Sequence, residues 1–179
     1  VRRDHMRTIA RLSAEEFEHS VKELADLLVD AVDDGASLGF VTPFRHEAAA
    51  AWWRAQAPSV AAGGQLVWVC RVDGVLAGTV SLIPAVKANS RHRAEVVKLM
   101  VHRDARGQGL SRALLATAEQ AALDAGVSLL MLDTETGSTA EHVYLSGGWT
   151  RFGIVPDYAA SPDGTLRECS FFFKRLADS

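Results

Sequence analysis

The chain of 179 residues is 48% hydrophobic and 23% charged, with a formal net charge of −3. That length suits one domain with a proper core and is short for two, so 1–179 is read as a single domain. The small negative charge excludes a domain-wide nucleic-acid footprint. No apolar stretch approaches the ~20 residues of a membrane span, and no basic-then-apolar start suggests a leader. Cys70 and Cys169 lie far apart in strand-like runs. They read as buried thiols, not as a disulfide or metal pair, and the cytoplasm is the expected compartment.

In chain order, Val1 to His5 is polar and expected to fray, and Met6 to Leu12 reads as a first strand. Ser13 and Glu16 have capping-box spacing, followed by an apolar stripe of Phe17, Val21, Leu24, Leu27, Leu28 and Ala31. A helix to about Asp33 follows. Gly35 to Val41 is a loop of small residues. Thr42-Pro43 reads as a cap with proline in the first turn of the next helix. That helix carries Ala49, Trp52 and Trp53, with both tryptophans assigned to the core, and is broken by Pro58 or Gly63-Gly64. Gln65 to Val72 and Val75 to Ile83 are β-rich runs joined by Asp73-Gly74, a hairpin turn. Pro84 to Ala94 is a polar loop, and Glu95 to Val101 is a buried strand. Leu110 to Ala125 places Leu110, Leu114, Ala118, Ala121, Ala122 and Ala125 on one helical stripe. Gly126 caps it, and Ser128 to Asp133 is another buried strand. Ser138 and Glu141 repeat the capping-box spacing before a short helix through Val143 and Tyr144 to Gly147-Gly148. Arg151 to Val155 and Cys169 to Lys174 read as closing strands, linked by a long turn containing Ser161-Pro162-Asp163-Gly164.

The stretch from Glu95 to Ala125 organises the rest. Between its strand and helix sit Gly107 and Gly109, where the backbone turns sharply and approaches something closely. The first amides of a helix lack intrahelical partners and point outward, so a phosphate or diphosphate fits there. His102, Arg103, Arg106 and Arg112 are read as adding positive charge around the loop. A dinucleotide-binding Gly-x-Gly-x-x-Gly needs glycine at the position of Arg112, and no Walker-type Gly-Lys-Ser/Thr is present.

The run Arg106-Gly107-Gln108-Gly109-Leu110-Ser111 resembles the Arg/Gln-x-x-Gly-x-Gly/Ala signature of the GCN5-related N-acetyltransferase (GNAT) superfamily. Ser111 stands where that signature has Gly or Ala. The resemblance implies a GNAT acyl-CoA N-acyltransferase fold of mixed α/β class. Its central, mostly antiparallel sheet would be splayed between the fourth and fifth strands and flanked by helices. It also implies acetyl-coenzyme A (acetyl-CoA) as co-substrate, with no metal. The diphosphate would lie on Arg106, Gly107, Gln108, Gly109, Leu110, Ser111 and Arg112, and the pantetheine along the backbone of Leu99, Met100 and Val101.

Amide formation from a thioester needs a neutral amine and a proton for the departing thiolate. An amine with a pKa of about 8 to 10 is mostly protonated at neutral pH, so a general base is useful. Glu95 and Asp133 are the candidates, one beginning a strand and the other ending the adjacent one. Glu135 reads as solvated or structural. Ala140-Glu141-His142-Val143-Tyr144-Leu145-Ser146-Gly147-Gly148-Trp149 is similar to the family pattern whose tyrosine serves as acid, which implies that role for Tyr144. Gly137 departs from the asparagine of many relatives, and His142 falls on another face of the helix. Three runs, Arg93 to Val101, Leu132 to Ser138 and Ser161 to Gly164, look like those of family members that acetylate an amino-acid antibiotic of the β-lactam type. The matching Glu, Asp and Tyr line the active site in those members.

The sequence therefore points to an N-acetyltransferase acting on a small-molecule amine or amino acid by direct transfer. A protein or peptide acetylase and a non-catalytic acyl-CoA sensor are the alternatives. Neither a nucleic acid nor a membrane is expected as a partner, and a homodimer stays open. Acceptor choice is assigned to Gly35 to Arg45, Pro84 to Arg93 and Val155 to Leu166.

Overall fold

The Ser13 hydroxyl accepts the Glu16 amide at 3.1 Å, and the Glu16 carboxylate accepts the Ser13 amide at 3.2 Å. This closed capping box starts α1 (Ala14–Asp33), whose apolar stripe is buried as the periodicity predicts. The computed structural model describes residues 5–176. The expectation of a frayed start therefore falls mainly on residues outside those described. His5 itself is tied down, with Nδ1 2.6 Å from Asp73.

Seven strands form one sheet in the order β1-β2-β3-β4-β5-β7-β6. They are β1 (Arg7–Arg11), β2 (Leu66–Val72), β3 (Val75–Pro84), β4 (Arg93–Val101), β5 (Leu129–Glu135), β6 (Thr150–Ala160) and β7 (Leu166–Arg175). Every neighbouring pair is antiparallel except β4 and β5. On one face of the N-terminal half, α1, α2 (His46–Ala55) and α3 (Ala57–Ala61) bury Phe17, Leu24 and Trp53 against Val67, Val69 and Met100. On the other face, α4 (Leu110–Asp124) lays Leu110, Leu114 and Ala118 over Trp68, Val80 and Val96. The short α5 (Thr139–Ser146) brings Tyr144 into that second core, beside Leu132 and Phe172. Among the described residues, no helix is long and apolar enough to cross a membrane.

The parallel pairing of β4 with β5 covers only Arg93–Leu129, Ala94–Leu130 and Glu95–Met131. Beyond Glu95 the strands part, although β4 continues to Val101 and β5 to Glu135. The local cause is visible in β4. Lys98 takes a left-handed φ of 56°, and the β3–β4 register shifts opposite it, between Thr79 and Ser81. A bulged strand bends and twists away from its straight partner.

Three sequence expectations are corrected. Thr42-Pro43 does not start the second helix, which begins at His46 after the extended Arg45. The Thr42 amide and hydroxyl instead both donate to the Pro162 carbonyl, at 2.8 and 2.9 Å, across a cis Thr42-Pro43 bond. The closing strands also run well past their expected ends, so much of Val155 to Leu166 is hairpin strand. β6 is an edge strand, where Pro156 costs no ladder bond. The turn between β6 and β7 is short because the Asp163 carboxylate accepts both the Ser161 hydroxyl (2.6 Å) and the Thr165 amide (2.9 Å). On α4, Ala125 is the exposed C-cap and Leu115 is buried in addition to the expected stripe.

Candidate active site

The opening between β4 and β5 leads into a cleft of about 790 Å³. The N-terminus of α4 faces it. Gly109 is the N-cap, with φ 72° and no side-chain capping bond, so the first amides of the helix are left for another acceptor. Gly107 has φ 76°, and nothing lies within 4 Å of where a Cβ would stand on either glycine. Of the expected donor residues, Leu99, Met100 and Val101 line the cleft from β4. Arg106, Gly107 and Gly109 line it from the loop, and Leu110, Ser111 and Arg112 from the first turn of the helix. Gln108 does not line it. Its carbonyl accepts a hydrogen bond from Arg7 at 3.0 Å.

Most of the positive charge read around this loop is already paired. Arg103 Nε lies 2.6 Å from Asp30, His102 Nε2 lies 3.5 Å from the same carboxylate, and Arg106 Nη2 lies 2.5 Å from Asp34. Both acids come from the end of α1, so helix α1 supplies counterions to the loop. An incoming anion must compete with Asp34 for Arg106.

Tyr144 lies at the inner end of the cleft, 5% exposed, with its ring against Trp149 and Phe172. Burial, assisted by the Asp133 charge, raises its pKa well above the ordinary phenol value, so it stays protonated. Asp133 lines the same cleft. Glu95 is exposed and lies outside the cleft wall. Chain packed beside its carboxyl raises its pKa, the Asp133 charge raises it further, and Lys98 partly offsets both. Glu95 and Asp133 thus share one electrostatic neighbourhood.

Four other residues belong to this neighbourhood. Lys98 donates to the Leu38 carbonyl at 3.0 Å and sits 5.1 Å from the Trp52 ring centre and 5.8 Å from that of Phe40. Burial lowers its pKa, with Asp133 and Glu95 opposing the shift. Trp52 is therefore half-buried under this cation, while Trp53 is the fully buried core residue. The Cys169 thiol donates to Asp133 Oδ2 at 3.4 Å, and burial followed by that carboxylate pushes its pKa up to about 12. Tyr158 lines the cleft from β6, with its phenol pKa raised chiefly by Asp133. Glu135 is half-buried and also lines the cleft, and its Oε1 is buried without a hydrogen-bond partner. Lys98 had a sequence signal, a single charge inside Val-Val-Lys-Leu-Met. Cys169 and Tyr158 had none, because their neighbours come from other strands. Among the described residues, no cluster of His, Cys, Asp and Glu is arranged to hold a metal ion.

Gly137 turns into α5 with φ 80°, and its amide donates to the Glu141 carboxylate at 3.2 Å. The left-handed backbone accounts for glycine at this position.

A model of the acetyltransferase (GNAT) family matches residues 29–147, from within α1 to the end of α5. The chain belongs to the GNAT family. An uncharacterised N-acetyltransferase from the hisH–hisA intergenic region of Azospirillum brasilense is 31% identical over 113 residues. That match spans 62% of this chain and 66% of the relative, just under two thirds of its length. Solved GNAT structures share the fold. An acetyltransferase structure from Salmonella typhimurium with its cofactor acetyl-CoA superposes with a TM-score of 0.74 at 21% identity, covering 97% of this chain and 95% of that one. The ribosomal-protein-alanine N-acetyltransferase of Brucella melitensis superposes with a TM-score of 0.73 at 24% identity, covering 94% and 99%. Acetyl-CoA is the acetyl donor of GNAT enzymes.

Proposed function

We propose that this GNAT domain is an acetyl-CoA-dependent N-acetyltransferase whose acceptor is the amine of a small molecule. The observation that carries the reading is the bulge-driven parting of β4 from β5. It opens a cleft with free helix amides at one end and Asp133 and Tyr144 on its walls. The α4 amides and Arg106 hold the donor's diphosphate, and the freed edge of β4 from Leu99 to Val101 holds its pantetheine arm. The bound thioester supplies an activated acetyl group. Glu95 or Asp133 takes the proton from the acceptor ammonium, directly or through a water. Tyr144, kept neutral by burial, holds the proton that the departing sulfur requires.

Transfer is direct, without an acyl-enzyme. Burial raises the pKa of both cysteines, so neither thiol is activated as a nucleophile. Two buried free thiols also suit the cytoplasm. A narrower reading rests on the runs around Glu95, Asp133 and Ser161-Pro162-Asp163-Gly164, which resemble the tabtoxin resistance protein. It makes the acceptor a toxin or antibiotic of the tabtoxinine-β-lactam amino-acid type.

A thiol-release assay over amines, amino acids and peptides, run beside donor calorimetry, tests the proposal. Turnover on small amines with a 1:1 donor complex is the expected result. Turnover on peptides alone would make the protein a peptide acetylase, and donor binding without turnover would make it a sensor.

A further inference from the structure

The C-terminal half of the sheet carries exposed aromatic side chains from β6 on one of its faces. Phe171 pairs with Asp133 across the β5–β7 ladder, so their side chains stand side by side on that face. Phe152 is the extra residue where the β6 register slips between Arg151 and Gly153. Its ring reaches both Phe171, at 6.3 Å between centres, and Phe173, at 6.0 Å. Tyr158 meets Phe171 edge-on at 5.1 Å. Phe152 is 54% exposed and Tyr158 is 50% exposed. The result is an aromatic slab open to solvent, with the Asp133 and Glu95 carboxylates at its inner end.

Charge and polarity divide this surface in a particular way. The negative end faces the β4–β5 opening, and the body of the slab offers ring faces and edges, with the Tyr158 hydroxyl as a neutral polar group among them. Lys98, the cation that acts on both carboxylates, is turned to the Leu38 carbonyl and the Trp52 ring. A ligand with one cationic end and an aromatic body complements all of it. The ammonium meets the carboxylates, and the ring gains stacking and apolar contact with the exposed Phe152 and Tyr158.

Building on the reading as a small-amine N-acetyltransferase, we infer that the acceptor is a primary amine on a short chain bearing an aromatic ring. Its nitrogen is held by Asp133 and Glu95 and its ring by the Phe152–Phe171–Tyr158 slab.

The test compares 2-phenylethylamine with ethanolamine, two small primary amines that differ in the ring, by initial rates of thiol release. The expected kcat/KM ratio in favour of the ring is at least about tenfold, from two aromatic contacts. Phe152→Ser should bring that ratio below threefold, and Phe152→Tyr should keep it. Melting curves of both variants verify the fold, which the exposure of Phe152 should spare. A wild-type ratio near one, or a ratio unmoved by Phe152→Ser, overturns the inference while leaving amine acetylation intact. A dimer in light scattering that Phe152→Ser dissociates, with the ratio unmoved, assigns the slab to a second copy of the chain and also overturns it. Turnover of other small amines or amino acids but of neither of these two overturns the inference alone, whereas donor binding with no turnover of any small amine or amino acid fails the underlying reading.

Discussion

Tyr144→Phe separates the proposed acid from the core residue that it also is. The substitution removes one hydroxyl and nothing else. The ring keeps its edge contact with Trp149 at 5.8 Å and its tilted contact with Phe172 at 6.0 Å. Stability should change by no more than about 1 kcal/mol, the size of a single hydroxyl's net contribution. Catalysis should respond far more strongly. A positioned general acid contributes about 10²- to 10⁴-fold, or roughly 3 to 5 kcal/mol of barrier. We expect kcat to fall by that factor in a thiol-release assay, with donor affinity by calorimetry unchanged. The raised pKa of Tyr144 adds a readout in stability. In the unfolded chain the phenol ionises near 10, whereas in the fold it holds its proton to higher pH. The folded state then binds more protons, so wild-type stability declines as pH rises through the unfolded value. Tyr144→Phe should escape that decline above about pH 10. A kcat within twofold of wild type, under conditions where single-turnover rates show chemistry to be limiting, would refute the acid role.

Other outcomes follow from the same geometry. Glu95→Gln should raise the melting temperature at pH 7, because the chain packed beside its carboxyl and the Asp133 charge disfavour the Glu95 carboxylate in the fold. The folded pKa lies above the unfolded one, so the cost appears as pH rises through that window, and melting curves below about pH 4 should coincide. Asp34→Asn releases Arg106 from its counterion. An exposed pair is worth at most about 1 kcal/mol, so calorimetry should show donor affinity rising by no more than about fivefold. A weaker donor complex would mean that the pair orders the loop instead. Lys98→Met removes the tie to the Leu38 carbonyl while keeping an apolar stem over Trp52. It should raise the acceptor KM more than the donor KM in initial-rate kinetics, since the loop that it holds walls the cleft at Leu38 and Gly39.

The order of elements was legible because each announces itself locally. Ser13 and Glu16 close the capping box that their spacing predicts, and Asp73-Gly74 turns the hairpin between β2 and β3. Gly107 and Gly109 take the left-handed backbone that their place before a helix implies. Cap, turn and glycine chemistry act over a few residues, so one stretch of chain is enough to show them. Tyr144, the proposed acid, was likewise placed in its helix from local spelling.

What the sequence could not show is set by neighbours that meet only after folding. The Thr42 amide and hydroxyl reach Pro162, Arg106 meets Asp34, and the Cys169 thiol finds Asp133 across two strands. The loop cations thus looked available until α1 supplied counterions to Arg103 and Arg106, and Glu135, read as solvated or structural, has its Oε1 buried in the cleft wall. The parting of β4 from β5, which the family resemblance alone implied, goes with a register slip against β3 that no single strand encodes. Charge pairing and desolvation depend on distance in space, so the sequence determined the elements and the chemical type of the site. The tertiary structure decided which of its charges remain free to act.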